Sequence, residues 1–288
     1  MTSLLEGSMK QENISSGTLK TFDITMDTFP DKRLRTIRVW LPDIYDGVRR
    51  FPVMYMHDAQ NLFTGFDTRE KWGVETEIPK LGEECQTIVV GIDTAMTRFE
   101  ELCPPLPIDT GFWAANLPYV PAPAMGQADL YSDFTVSILK PFIDCAFLTR
   151  PDKASTGIGG ASMGGLVSLY MMLRHPEVFG RALVFSPAFA VINHSEIARR
   201  LESYNADILN DSRIFMMNGG QTLDKALLPE ALAVYEMLAA KGLSYQHAAF
   251  LLDTREPHYE TAWRKYFGQA VEYLYQPDNS VPFPQIIL

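Results

Sequence analysis

Cysteine is scarce in this sequence: 288 residues hold three, Cys85, Cys103 and Cys145. An odd number, with no CxxC pair and no metal-ligand spacing, excludes a disulfide framework and a zinc site. Long apolar runs are missing as well. No stretch approaches the roughly 18 consecutive apolar residues that span a bilayer, so no membrane partner is expected. Basic clusters are absent, with 25 Lys and Arg against 35 Asp and Glu and a net charge of −10. That balance disfavours nucleic acid and anionic surfaces as partners, because both require a positive face. The N-terminus, MTSLLEGSMKQENISSG, has no basic stretch leading into an apolar one. The expected location is therefore cytoplasmic, although a leader already removed would leave the same chain. Internal repeats and low-complexity linkers are also lacking. The expected layout is a flexible segment over 1–17 and a single domain over 18–288.

What is present is a composition 47% hydrophobic, enough for one large core. Short β-type runs alternate with helical patterns, which predicts an α/β fold with a mostly parallel sheet flanked by helices. Thr18–Met26 and Leu34–Leu41 read as an N-terminal antiparallel pair joined at Pro30-Asp31. Phe51–His57 and Gln86–Ile92 are near-continuous apolar runs, the pattern of buried parallel strands. Further strands are predicted at Ala154–Ala161, Arg181–Phe185, Arg213–Met217 and Gln246–Leu252. Helices are predicted at Trp72–Leu81, Ser132–Phe147, Met163–Leu173, Leu227–Lys241 and Tyr259–Tyr275. One interruption, residues 103–129, carries six prolines interleaved with Phe112, Trp113 and Tyr119. A loop this long inside a domain is commonly functional, so it is expected to wall a pocket.

Gly160-Ala161-Ser162-Met163-Gly164 matches G-x-S-x-G. In that motif a serine sits on a strained strand-to-helix turn, with glycines where neighbouring backbone passes close. The flanking residues supply the context: TGIGGA reads as a strand and MGGLVSLYMML as a helix. Of five histidines, His57, His175, His194, His247 and His258, only His258 falls between the last predicted strand and the last predicted helix. His194 lies in a polar loop. An acid should come between Ser and His in chain order, and Asp224 is the first carboxylate after the strand Arg213–Met217. Asp224 also suits a helix cap, and Asp253, Glu256 and Glu260 lie closer to His258 in sequence. The N–H of Met163 and one from the loop after Phe51–His57, Ala59 first and Gln60 second, are the candidate oxyanion donors. Gln60, Arg98, Glu101 and Trp113 are the candidate substrate contacts, with Arg98 and Glu101 equally readable as a structural ion pair. His57 and Asp58 read as structural.

At these residues the chain resembles the esterases related to esterase D, a family that includes enterochelin, feruloyl and acetylxylan esterases and mycolyltransferases. The segments that carry the resemblance are MHDAQNLF (56–63), KWGVE (71–75), IVVGID (88–93) with Arg98 and Glu101, and LKPFID (139–144). GIGGASMGGLVSLY (157–170), HPEVFGRALVFSPAF (175–189) and PHYETAW (257–263) complete it. The resemblance implies an α/β-hydrolase fold, a Ser-Asp/Glu-His triad, no cofactor and no metal. Two positions depart from the family pattern. Ala59 stands where glycine is usual, and Gln221-Thr222 follow the NGG turn where a carboxylate is common.

The function so implied is a serine carboxylic-ester hydrolase acting through an acyl-enzyme. Its partner would be a small-molecule ester, an acylated carbohydrate or a phenolic ester. An acyltransferase using the same triad, a non-catalytic ligand-binding protein on the same fold, and a homo-oligomeric state are all compatible with the sequence.

Overall fold

The structure, a computed structural model, describes residues 8–64, 70–118, 122–192, 211–277 and 286–287, with positions 197, 199, 201 and 209. His194, Tyr119 and the first seven residues lie outside these.

Alternation of apolar and polar residues over Phe22–Met26 and Thr36–Val39 builds the first long pair. In β2 (Thr18–Met26) and β3 (Arg33–Leu41), Phe22, Ile24 and Met26 face the core with Ile37, Val39 and Leu41. The two run antiparallel, with Thr18 opposite Leu41 and Met26 opposite Arg33. A short strand β1 (Lys10–Glu12) pairs outside β2, in the segment predicted to lack structure. Its Lys-Gln-Glu sequence has no apolar alternation to announce it, and backbone pairing to the edge of β2 places it.

The next strands are buried on both faces and lose the alternation. These are β4 (Val53–His57), β5 (Ile88–Ile92) and β6 (Thr156–Ala161). They continue through β7 (Arg181–Phe185), β8 (Arg213–Gly219), β9 (Ala248–Asp253) and the short β10 (Ile286–Ile287). The sheet order is β1-β2-β3-β5-β4-β6-β7-β8-β9-β10, antiparallel through β3–β5 and parallel from there on. Two hydrophobic layers cover its faces, one around Tyr55, Val90 and Tyr170, the other around Trp40, Trp72 and Phe267.

Prolines account for two of the departures in the helices. The predicted helix over Trp72–Leu81 is only α1 (Val74–Glu77) followed by a 3-10 turn at Ile78–Lys80. Pro79 has no N–H to carry the α pattern through. Helix α2 is a single turn, Arg98–Glu101. A third, α3 (Thr110–Asn116), lies inside the Pro-rich segment and is capped by the Asp109 carboxylate on the Phe112 N–H. The helix predicted from Ser132 begins earlier, as α4 (Ala128–Phe134), and passes through a π turn at Thr135–Leu139 into α5 (Lys140–Ala146). Pro141 cannot donate to the Ser137 carbonyl, and the wider turn absorbs the missing bond. Then come α6 (Met163–Arg174), α7 (Leu223–Ala240) and α8 (Glu260–Tyr275). Helix α7 begins four residues earlier than its apolar periodicity suggests, which puts Asp224 in its first turn.

This topology brings the ends of β4, β6, β8 and β9 to one side of the sheet. That is where open parallel sheets bind ligands.

Candidate active site

Ser162 joins β6 to α6 with φ 59° and ψ −120°, a conformation that costs a non-glycine residue about 1–3 kcal/mol. Packing leaves the turn no alternative. The Ser162 N–H donates to the Phe185 carbonyl at 3.0 Å, and the Ser162 carbonyl accepts from Leu166 and Ala188. A Cβ on Gly160 would lie 3.1 Å from the Gly164 backbone, and one on Gly165 would lie 2.7 Å from the Phe185 oxygen. Glycine at these two positions lets the elbow sit flush on the neighbouring strand.

The loop after β9 meets the loop after β8. Gly220 and Gln221 N–H groups both donate to the Glu256 carbonyl at 3.1 Å, and the His258 N–H donates to Thr222 Oγ1 at 2.8 Å. So zipped, the loops set His258 Nδ1 2.5 Å from Asp224 Oδ1. Asp224 is fully buried and the His258 side chain is 15% exposed. The other candidate acids have other partners, Glu260 accepting from the Asn61 amide at 3.1 Å. Asp253 is bound by Arg255, Lys265 and Tyr266, and Glu256 by Lys265. Those donors hold the Asp253 carboxyl far below the usual range, the Arg255 hydrogen bonds most of all.

Ser162 and His258 line one cleft of about 370 Å³, together with His57, Asp58, Gln60, Asn61, Trp72, Thr94, Arg98, Ala161, Glu260 and Trp263. Three of the four predicted substrate contacts serve other ends. Glu101 is buried and outside the cleft, where its carboxylate accepts from Arg35 at 2.7 and 2.8 Å, Arg33 at 2.9 Å and Thr97 at 2.6 Å. Trp113 is also buried, edge-on to Phe99 at 5.3 Å, because its apolar area is better covered by the core than left on a loop. Gln60 lines the cleft, but its amide is spent on the Thr94 backbone, donating to the carbonyl at 2.7 Å and accepting from the N–H at 2.9 Å. Arg98 remains in the cleft wall, paired not with Glu101 but bidentately with Asp58 at 2.6 and 2.8 Å.

The described part of the Pro-rich segment does not line this cleft. Pro107, Ile108, Asp109 and Phe112 border a separate pocket of about 530 Å³ against Ala190, Ile192 and helix α7.

The loop after β4 is tied down at every residue. Asp58 is left-handed at φ 55° and held by Arg98, and the Gln60 carbonyl accepts from the buried Lys71 ammonium at 2.6 Å. Ala59 fits where a glycine is usual because Gly91 opposite has no side chain; a Cβ there would lie 2.7 Å from that of Ala59. Asn61, Trp72, Thr94 and Trp263 are not singled out from the sequence, and Glu260 only as an alternative acid. Four of the five lie within segments that carry the family resemblance, and Thr94 lies one residue beyond one.

His57 packs beneath the elbow with Nδ1 2.8 Å from the Tyr131 hydroxyl, and Nε2 has no partner among the described residues. Burial pushes its imidazole down from 6.5 to about 4, with Asp58 opposing and Arg98 assisting more weakly. Between those two values the unfolded chain binds the extra proton, so stability falls as pH falls. The loss starts near pH 6.5 and is complete below about pH 4, at about 3 kcal/mol from this group. Urea midpoints followed from pH 7 to pH 4 should drop more steeply in the wild type than in His57→Asn. Equal slopes would show that His57 is not held neutral.

Residues 31–272 match the family model described as "Putative esterase". The chain belongs to this esterase family. It is 23% identical over 264 residues to the protein YbbA of Bacillus subtilis (strain 168), covering 85% of this chain and 94% of YbbA. Among solved structures, a ferulic acid esterase superposes with a TM-score of 0.64 at 17% identity, covering 91% of this chain and 99% of its own. The ferric enterobactin esterase of Salmonella typhimurium gives 0.65 at 20% identity, covering 93% of this chain and 60% of that one. The fold is that of the α/β-hydrolase esterases, and the protein is accordingly a hydrolase acting on esters. Among the described residues, no helix of this esterase is long and apolar enough to cross a membrane.

Proposed function

We propose that this esterase is a serine carboxylic-ester hydrolase working through an acyl-enzyme. The observation that carries the reading is the 2.5 Å contact between buried Asp224 and His258, in the same cleft as Ser162 on its strained turn. His258 takes the Ser162 proton as the hydroxyl oxygen attacks the ester carbonyl. Asp224 fixes the tautomer by accepting a hydrogen bond from Nδ1–H and stabilises the imidazolium that forms. The alcohol leaves with the proton returned by His258, and water, activated by the same imidazole, releases the acid.

The oxyanion would be held by the Met163 N–H, at the start of α6 where the first N–H groups have no intrahelical acceptor. The second donor comes from the tied loop after β4. Gln60 lines the cleft and its neighbour Ala59 packs its side chain toward Gly91; the backbone N–H groups of these two residues are the candidates, Ala59 first and Gln60 second.

Asp58, Asn61, Arg98 and Glu260 give the cleft both donors and acceptors, and Asn61 already donates to Glu260 at 3.1 Å. A small acyl group on a hydroxyl-bearing alcohol, carbohydrate or phenolic, suits such a wall better than a long alkyl chain. The test is a panel of p-nitrophenyl esters of rising chain length, an acetylated sugar and a feruloyl ester, with mass analysis of fluorophosphonate-treated enzyme. Turnover favouring short acyl groups, with one adduct on Ser162, is expected. Absence of both turnover and adduct would sink the reading. Ester products formed with added alcohols would instead mark an acyltransferase.

A further inference from the structure

Asp224 is held from two sides. While Oδ1 faces His258, Oδ2 accepts from the Gly219 N–H at 2.6 Å and from the Ser186 hydroxyl at 2.8 Å. Ser186 is fully buried and lies outside the cleft lining, one residue past the end of β7. Its backbone is left-handed, φ 40°, and its N–H is fixed on the Met217 carbonyl at 2.6 Å. A serine in this conformation is uncommon and is sustained only by its surroundings.

The surroundings include Trp263. Its indole N–H, a donor only, reaches Ser186 Oγ at 2.9 Å. With that lone pair occupied, the one hydroxyl proton of Ser186 points to Asp224. The same indole stands edge-on to the His258 ring at 5.2 Å and leans on Trp72 at 5.7 Å. Trp72 in turn stacks on Phe185, the residue before Ser186, at 5.4 Å and 16°. One side chain of α8 thus touches the imidazole directly and the carboxylate through a hydroxyl.

We infer that Ser186 and Trp263 are positioning residues for the esterase reaction, a relay that orients the Asp224 carboxylate and seats the His258 ring. This rests on the serine-esterase reading above. Saturating Oδ2 leaves Oδ1 as the oxygen presented to Nδ1 and fixes the carboxylate plane. It also withdraws charge from the carboxylate. Without the hydroxyl, more negative charge stays on the carboxylate that faces Nδ1, so the acid limb of the rate profile moves to higher pH.

The experiment is kcat and KM against pH for a short-chain ester, with Ser186→Gly, Ser186→Cys and Trp263→Phe. Glycine removes the hydroxyl where the backbone is already left-handed, so it relaxes strain rather than adding it. Cysteine keeps the shape with a weaker donor. Ser186→Gly should lower kcat about 10- to 100-fold with KM nearly unchanged, and move the acid limb to higher pH. Ser186→Cys and Trp263→Phe should fall between it and the wild type. The other charged groups of the cleft, Asp58, Arg98 and Glu260, with His57 behind the elbow, are the same in all four proteins, so a limb that moves reports the relay. A folded Ser186→Gly with an unmoved limb and wild-type kcat would overturn the inference. So would equal losses in all variants with no limb shift, which would mark a purely structural contact. Should the glycine variant fail to fold, Trp263→Phe with a wild-type limb and kcat overturns it equally. A wild type that neither turns over esters nor takes up a fluorophosphonate is a different failure, that of the esterase mechanism itself.

Discussion

Ser162→Ala should abolish ester hydrolysis, lowering kcat by about 10⁴-fold or more while leaving substrate binding and fold intact. The serine already occupies the φ 59° turn, so alanine inherits the same backbone strain and adds no bulk. What disappears is the atom that forms the acyl-enzyme. His258→Ala should cost a similar factor, and Asp224→Asn about 10⁴-fold, because an amide facing Nδ1 admits the wrong tautomer. These losses should not add. Once the nucleophile is gone, the base and its partner have nothing to activate, so Ser162→Ala/His258→Ala should be no slower than Ser162→Ala alone. Initial rates on p-nitrophenyl acetate, with circular dichroism to confirm folding, are sufficient. Retention of a tenth of wild-type activity by Ser162→Ala would overturn the assignment of the nucleophile.

The elbow was readable from sequence because its requirements are local: a strand, a serine between glycines and a helix, all within the nineteen residues from Thr156 to Arg174. His258 was readable from position, since only one histidine falls between the last long strand and the last long helix. Asp224 was harder. Its place depends on where α7 begins, and the apolar periodicity that marks the helix starts only at Leu227. The loop contacts that pull Thr222 to the His258 N–H and Gln221 to the Glu256 carbonyl join residues more than thirty apart. The pairing of Arg98 with Glu101, one of the two readings open in the sequence, fails for the same kind of reason. Three apart on a short helix they can face each other, yet each found a better partner on another element, Asp58 at the end of β4 and Arg35 in β3. Long charged side chains choose among partners by tertiary geometry, and no local pattern records the choice. Trp113 illustrates the apolar counterpart, since an aromatic in a proline-rich segment looks the same whether the segment folds inward or outward.

Glu101→Ala should be among the most destabilising single changes in the molecule, at about 3–5 kcal/mol, although the sequence alone reads Glu101 as either a substrate contact or half of an ion pair. Its carboxylate is the common acceptor for the buried Arg35 fork, for Arg33 and for Thr97. Arg33 keeps Asp31 as a second partner. Among the described residues, Arg35 keeps the Asp93 carbonyl and the Met26 sulfur alone. Truncating Glu101 therefore strands a guanidinium that is 3% exposed, and a buried charge without its counter-ion is what makes breaking such a pair costly. Removing both charges avoids that cost. Glu101→Ala/Arg35→Met should recover much of the loss, since a well-packed apolar side chain in place of a buried ion pair is often neutral. Urea unfolding of the wild type and the two variants measures this directly. Because Glu101 lies outside the Ser162 cleft, the folded fraction of Glu101→Ala should keep kcat and KM within about threefold of the wild type. A stability loss under 1 kcal/mol joined to a large rise in KM would reverse the assignment and return Glu101 to the substrate. A large loss with unchanged kinetics would establish that the Glu101–Arg35 contact ties α2 to β3 and serves the fold rather than the substrate.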